Sequence, residues 1–115
     1  MVKFRNIITS IVSQHGESID SEFYLDIESD SDEIMDLSIE RHGDELTICQ
    51  YYLQRGDLMR DPEIRFRVES DGEWTPIAYR IDALNAYEYS TEGLDIDDVL
   101  ETWAENLRSQ GFLDS

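Results

Sequence analysis

The spacing of apolar residues changes twice along this chain, and that change limits the fold more than any single motif does. Near the start, Phe4, Ile7, Ile8, Ile11 and Val12 recur at helical spacing. Asn6, Ser10, Ser13 and Gln14 fill the polar side, and Gly16 is placed to end the turn. The pattern predicts an amphipathic helix of about three and a half turns. Beyond Gly16 the period becomes two. Phe23, Leu25 and Ile27 alternate with Glu22, Tyr24, Asp26 and Glu28, and Met35, Leu37 and Ile39 alternate with Asp36, Ser38 and Glu40. Such alternation marks strands with one buried face and one wet, acidic face.

Turn chemistry divides the rest. The acidic run from Glu28 to Glu33 reads as a solvated loop, and Arg41-His42-Gly43-Asp44 as a tight turn into a third strand running from Leu46 to Leu53. Arg55 to Pro62 reads as the longest irregular connection, bounded by glycine and proline. Ile64, Phe66 and Val68 then alternate with charged residues, and Ser70-Asp71-Gly72-Glu73 turns back into Trp74 to Tyr79, the clearest hairpin in the chain. Pro76 has no amide to donate, so it belongs at an edge or outside the ladder. A short sixth strand is expected at Ala86 to Tyr89. Helical spacing returns with Ile96, Val99, Leu100, Trp103 and Leu107, with Asp95 placed to cap the helix and Gly111 just past its end. The expected architecture is a single two-layer α+β domain over residues 1–115. Its five- or six-stranded, mostly antiparallel sheet carries the N- and C-terminal helices on one face.

Charge sets the environment. Against 27 Asp and Glu stand 9 Lys and Arg, of which Lys3 is the one lysine, and the formal net charge is −18. Depletion of lysine with arginine retained suits a salt-rich cytoplasm, where screening relieves self-repulsion and short carboxylates expose little apolar stem. The same acidity admits a second reading, in which the surface imitates a nucleic-acid backbone and occupies a basic cleft. Outward positions Glu22, Asp26 and Glu28, with Asp36 and Glu40 on the next strand, suggest carboxylate steps of about 6.8 Å, close to the spacing of successive phosphates. Apolar residues make up 40% of the chain, which argues for a folded core. No apolar stretch approaches the roughly 20 residues of a membrane span, and the start lacks a signal-peptide pattern, so a cytoplasmic protein is expected. Lys3 and Arg5 oppose the dipole of the first helix and are candidates for pairing with the acidic body.

Chemistry-bearing motifs are sparse. His15 and His42 have no metal-ligand spacing, and Cys49, the single cysteine, sits in an apolar run as a buried inert thiol. No metal, cofactor or catalytic residue is assigned, since neighbouring carboxylates arise by chance in so acidic a chain. Asp30-Ser31-Asp32 lacks the glycine and closing Glu of a calcium loop, and Arg55-Gly56-Asp57 is read as a turn. Aromatics with polar tips gather in the second half: Tyr51, Tyr52, Trp74, Tyr79, Tyr87 and Tyr89. Beside Arg60, Arg65 and Arg67 they could form a shallow recognition surface, with core packing as the other reading.

The run Tyr51-Tyr52-Leu53-Gln54-Arg55-Gly56-Asp57-Leu58-Met59-Arg60-Asp61-Pro62-Glu63, followed by Trp74, Pro76, Tyr79, Asp82 and Tyr87, resembles a family of small uncharacterised proteins common on phages, plasmids and integrative elements. The tail from Trp103 to Phe112 fits it too. Relatives often carry Asn before the Gly-Asp pair, where this chain has Arg55. The resemblance implies a mobile-element setting and, with this composition, a salt-loving archaeal host; it implies no activity. The expected role is a non-enzymatic protein-binding domain, an accessory or anti-defence protein that engages a basic nucleic-acid-binding protein, with no direct contact to nucleic acid or membrane. Candidate interaction residues are Asp26, Asp36, Glu40, Tyr52, Asp57, Arg60, Asp61, Trp74 and Tyr79. The alternative is a salt-adapted small-molecule-binding or enzymatic domain with its pocket near Asp57, Asp61, Trp74 and Tyr79.

Stability is expected to rise with salt. Between about 0.1 M and about 2 M KCl the Debye length falls from about 10 Å to about 2 Å, and the urea midpoint should climb across that series. A flat or falling midpoint would contradict the salt-adaptation argument.

Overall fold

The computed structural model describes residues 1–113. Helix α1 spans Val2–Gln14 and helix α2 Asp97–Ser109. Between them run β1 (Phe23–Ile27), β2 (Asp36–His42), β3 (Glu45–Gln54), β4 (Asp57–Val68), β5 (Trp74–Ile81) and β6 (Ala86–Tyr89), with a short 3-10 turn at Asp82–Leu84. The strands form one sheet in chain order, every neighbouring pair antiparallel. Among the described residues, no helix is long and apolar enough to cross a membrane.

Register explains the layering. Leu25 lies opposite Ile39, Ile39 opposite Ile48 and Ile48 opposite Ile64, so one face of four successive strands is an unbroken apolar row. Phe4, Ile8, Ile11 and Val12 of α1 and Leu100, Trp103 and Leu107 of α2 are buried in the same core. Both helices therefore cover the same face. Phe4 packs on Phe66 and on Trp103, and Phe66 on Trp74, with ring centroids 5.3–5.8 Å apart. The cations at the start of α1 are paired as expected: Lys3 with Glu105 of α2, and Arg5 with Glu73 in the β4–β5 loop at 3.3 Å. The Gln14 amide donates to the Phe112 carbonyl at 2.9 Å, fastening the end of α1 to the tail beyond α2.

Two local expectations need correction. Residues 55–62 are not an irregular connection: β3 and β4 form a long hairpin closed by Arg55 and Gly56. Both residues have positive φ, 54° and 85°, the signature of a primed two-residue turn whose twist matches its strands. Pro62 is accommodated inside β4 because the register shifts there. Cys49 faces Glu63 and Tyr51 faces Arg60, so Asp61 and Pro62 together oppose Gln50 in a bulge. Pro76 likewise lies beside a register shift, opposite Phe66. At α2 the cap position is held by Ile96, with no side-chain cap, and Asp95 lies one residue too early. Burial of Ile96 sets that start, and its carbonyl accepts from the Leu100 amide at 3.0 Å.

Arg55 occupies a left-handed position that favours Asn. Arg55→Asn is expected to raise stability by a few tenths to about 1 kcal/mol, read as a higher urea midpoint at molar salt, where loss of a positive charge is screened. An unchanged or lower midpoint would show that Arg55 is held there by something other than turn geometry.

Candidate functional site

With both helices on one side, the other face of the sheet is bare. Alternation along the strands sends Tyr24 and Asp26 of β1, Asp36, Ser38 and Glu40 of β2, and Thr47, Cys49 and Tyr51 of β3 to that side. From β4 and β5 come Arg60, Glu63, Arg65 and Arg80, and β6 adds Tyr87 and Tyr89. A shallow hollow of about 280 Å³ is lined by Tyr24, Asp26, Glu40, Cys49, Tyr51, Arg60 and their neighbours. Large apolar surface is exposed here, with Tyr24 at 63% and Tyr89 at 54%.

The face is electrically divided. On the β1–β2 side, Asp26 accepts a hydrogen bond from the Tyr51 hydroxyl and Asp36 accepts one from the Ser29 amide at 3.0 Å. Among the described residues neither carboxylate, nor that of Glu40, has a cationic partner. Partial burial and the Asp26 charge raise the pKa of Tyr24, and burial with the Asp26 hydrogen bond raises that of Tyr51, so both phenols stay protonated as donors. On the β4–β6 side the arginines are engaged. Arg60 reaches Glu63 at 3.5 Å and Asp82 at 3.6 Å, and Arg65 reaches Glu45 at 3.5 Å. Arg67 reaches Glu69 at 2.7 Å and donates to the Thr91 carbonyl at 2.8 Å, and Arg80 lies 4.8 Å over the Tyr87 ring. The Arg67 hydrogen bond holds the Glu69 carboxyl below its ordinary value.

The expected carboxylate ladder is sparser than its sequence spacing implied. Glu22 and Glu28 fall outside β1, Tyr24 takes the outward position between them, and Ser38 separates Asp36 from Glu40. Same-strand carboxylates on β2 are thus four residues apart, about 13 Å, not one phosphate step.

The candidate residues separate into groups. Asp26, Asp36, Glu40 and Arg60 share the bare face. Asp61 and Tyr79 lie on the helix side, in a cleft of about 490 Å³ between α2 and the β4–β5 pair. Tyr52 also points to the helix side, beside the acidic loop, and Asp57 is exposed at the tip of the β3–β4 hairpin. Trp74 is buried against Phe66. Asp57 and Trp74 therefore lie outside the cleft that Asp61 and Tyr79 line. Tyr24, Tyr51 and Glu63 join the bare face without being among the candidate residues; alternation already sets Tyr24 on the wet side of β1, but only pairing register brings Tyr51 to Asp26. Among the described residues, no group of three His, Cys, Asp or Glu is disposed to hold a metal ion.

A six-stranded meander with two helices on one face and a bare, charged opposite face defines a two-layer α+β domain of open-faced type. The chain belongs to the family described as a domain of unknown function, DUF6908, whose model matches residues 6–113. That match begins within α1 and takes in all six strands and α2. No curated protein and no solved structure matches the chain.

Cys49 tests the packing of the bare face. Its thiol is 5% exposed and is pushed up from 9.0 to about 12, by burial first and then by the Glu63 carboxylate opposite it. At pH 8 the native thiol should react with iodoacetamide about a thousandfold more slowly than in denaturant, following the lost thiolate fraction. Comparable native and denatured rates would show that Cys49 is open to solvent.

Proposed function

We propose that this protein is a non-enzymatic protein-binding domain that uses the β1–β2 half of its bare sheet face to engage a basic, nucleic-acid-binding protein. The observation that carries the reading is the set Asp26, Asp36 and Glu40, which share one exposed face with Tyr24 and have no cationic partner among the described residues. A partner's Lys and Arg side chains would supply the missing charges, and the exposed Tyr24 ring would supply apolar contact area. Charge and aromatic contact support the reading, and a phosphate-like spacing of carboxylates no longer does. Direct binding to nucleic acid is disfavoured, because Arg60, Arg65 and Arg67 are each tied to carboxylates of the same chain among the described residues. The resemblance to proteins of phages, plasmids and integrative elements supports an accessory or anti-defence role on a mobile element, in a cytoplasm rich in salt.

The test compares two variants of equal charge on the immobilised protein, exposed to source-cell extract at about 2 M KCl, where exposed charges beyond a few ångströms are screened. One carries Asp26→Asn, Asp36→Asn and Glu40→Gln; the other carries Asp30→Asn, Asp32→Asn and Glu33→Gln in the β1–β2 loop. The parent and the loop variant should retain a basic protein that duplex DNA displaces, and the face variant should lose it. Equal retention by both variants, no displacement by DNA, or no basic protein retained by the parent would overturn the proposal.

A further inference from the structure

The cleft on the helix side of the sheet stands apart from the bare face. It opens where β4 and β5 run past the helix layer, and encloses about 490 Å³. Pro62, Ile81, Val99 and the rings of Tyr79 and Trp103 make much of its wall. At its inner side Gln50 is fully committed: Oε1 accepts from Trp103 Nε1 at 2.8 Å, and Nε2 donates to Gln110 Oε1 at 2.9 Å. That wall is held in place by its own hydrogen bonds, so the cleft is preformed.

The bulge in β4 brings a carboxylate into it. In a regular strand, consecutive residues point to opposite faces. Here Asp61 and Pro62 together oppose Gln50, and both line the cleft. Bulges re-aim side chains in this way next to sites of function. Asp61 is half-buried, yet among the described residues it has no hydrogen bond or ion pair. The adjacent Arg60 points to the other face, where Glu63 and Asp82 hold it. Asp98, the second carboxylate of the lining, is likewise unpaired among the described residues. The Tyr79 hydroxyl feels the arrangement: burial raises its pKa first, and the Asp61 charge raises it further.

We propose that this cleft binds a small organic cation with an aromatic or alkyl body, its ammonium group set against Asp61 and Asp98 and its body against Tyr79, Trp103 and Pro62. A half-buried carboxylate beside aromatic and apolar side chains, with no counter-charge among the described residues, favours a cationic ligand. Tyr and Trp rings attract the same cation, and the apolar wall takes up the remainder. An acidic rim alone would mean little in a chain with 27 carboxylates. The bulge that turns Asp61 into an apolar wall is what separates it from the others.

The probe is 2-phenylethylammonium, with 2-phenylethanol as its neutral counterpart, titrated into the full chain at about 1 M KCl, where the Debye length is about 3 Å. Calorimetry and tryptophan emission, to which Trp103 in the cleft wall contributes, are the readouts. Saturable binding of the ammonium is expected, with the alcohol at least about tenfold weaker. Asp61→Asn should weaken the ammonium by about tenfold or more, Val99→Phe should block it by filling the cleft, and Glu17→Gln, an equal charge change elsewhere, should leave it intact. No saturable binding, equal affinity for the two probes, or undiminished binding by Asp61→Asn would overturn the assignment. The comparison of the two probes on the parent protein decides the matter even if a variant fails to fold. The β1–β2 face variant should bind the ammonium normally, so the two sites stand or fall separately.

Discussion

Four aromatic rings tie the ends of this chain to the middle of its sheet. Phe4 of α1 touches both Trp103 of α2 and Phe66 of β4, and Phe66 in turn touches Trp74 of β5. Truncating a buried ring of this kind costs about 3–5 kcal/mol, so the contact set is a large part of what a domain of this size can gain. Because all four rings lie on one side of the sheet, both helices must sit there. The opposite face is left with polar and charged side chains that water can satisfy.

The helix layer ends at a buried polar residue. Gln50 is 2% exposed, continues the apolar row of Leu46 and Ile48, and accepts from the Trp103 indole of α2. Its amide is satisfied by Trp103, Gln110 and the Met35 carbonyl, so it joins β3 to α2 without an unpaired group. The β4 bulge lies opposite it, and the cleft between α2 and the β4–β5 pair opens beside it. The two candidate surfaces thus follow from one placement: both helices on one face leave the other bare, and the cleft forms where α2 meets the bulged strand.

The use of arginine in place of lysine has a geometric reading in this fold. Arg41 donates through Nε to the Gly43 carbonyl at 2.7 Å and through Nη1 to the Ile19 carbonyl at 2.8 Å. Arg60 spans Glu63 and Asp82, and Arg67 spans Glu69 and the Thr91 carbonyl. A planar guanidinium can hold two acceptors in fixed directions, whereas an ammonium is a compact point charge. Each of these cations joins strands or loops at two points. The formal net charge is strongly negative at −18, while these few cations act in the architecture.

Much of the fold is legible in the sequence. The helical spacing of Phe4 to Val12 and of Ile96 to Leu107, and the alternation through β1, β2 and the later strands, set the element order, because periods of 3.6 and 2 each commit a segment to one buried face. The same pattern placed Asp26, Asp36 and Glu40 on an outward face, and the apolar run around Cys49 marked its thiol as buried. What it did not show depends on contacts between distant residues. The Arg55-Gly56 turn was hidden by a proline that ordinarily ends a strand, and Pro62 is tolerated only because β3 and β4 slip register opposite Gln50. The same slip turns Asp61 into the cleft, while Trp74, at an aromatic-rich stretch of sequence, goes to the core. Local periodicity decides which way each side chain points along an ideal strand; only the pairing of strands decides where that ideal breaks, and the bulge is where this chain places a carboxylate that its sequence alone would have assigned to either face.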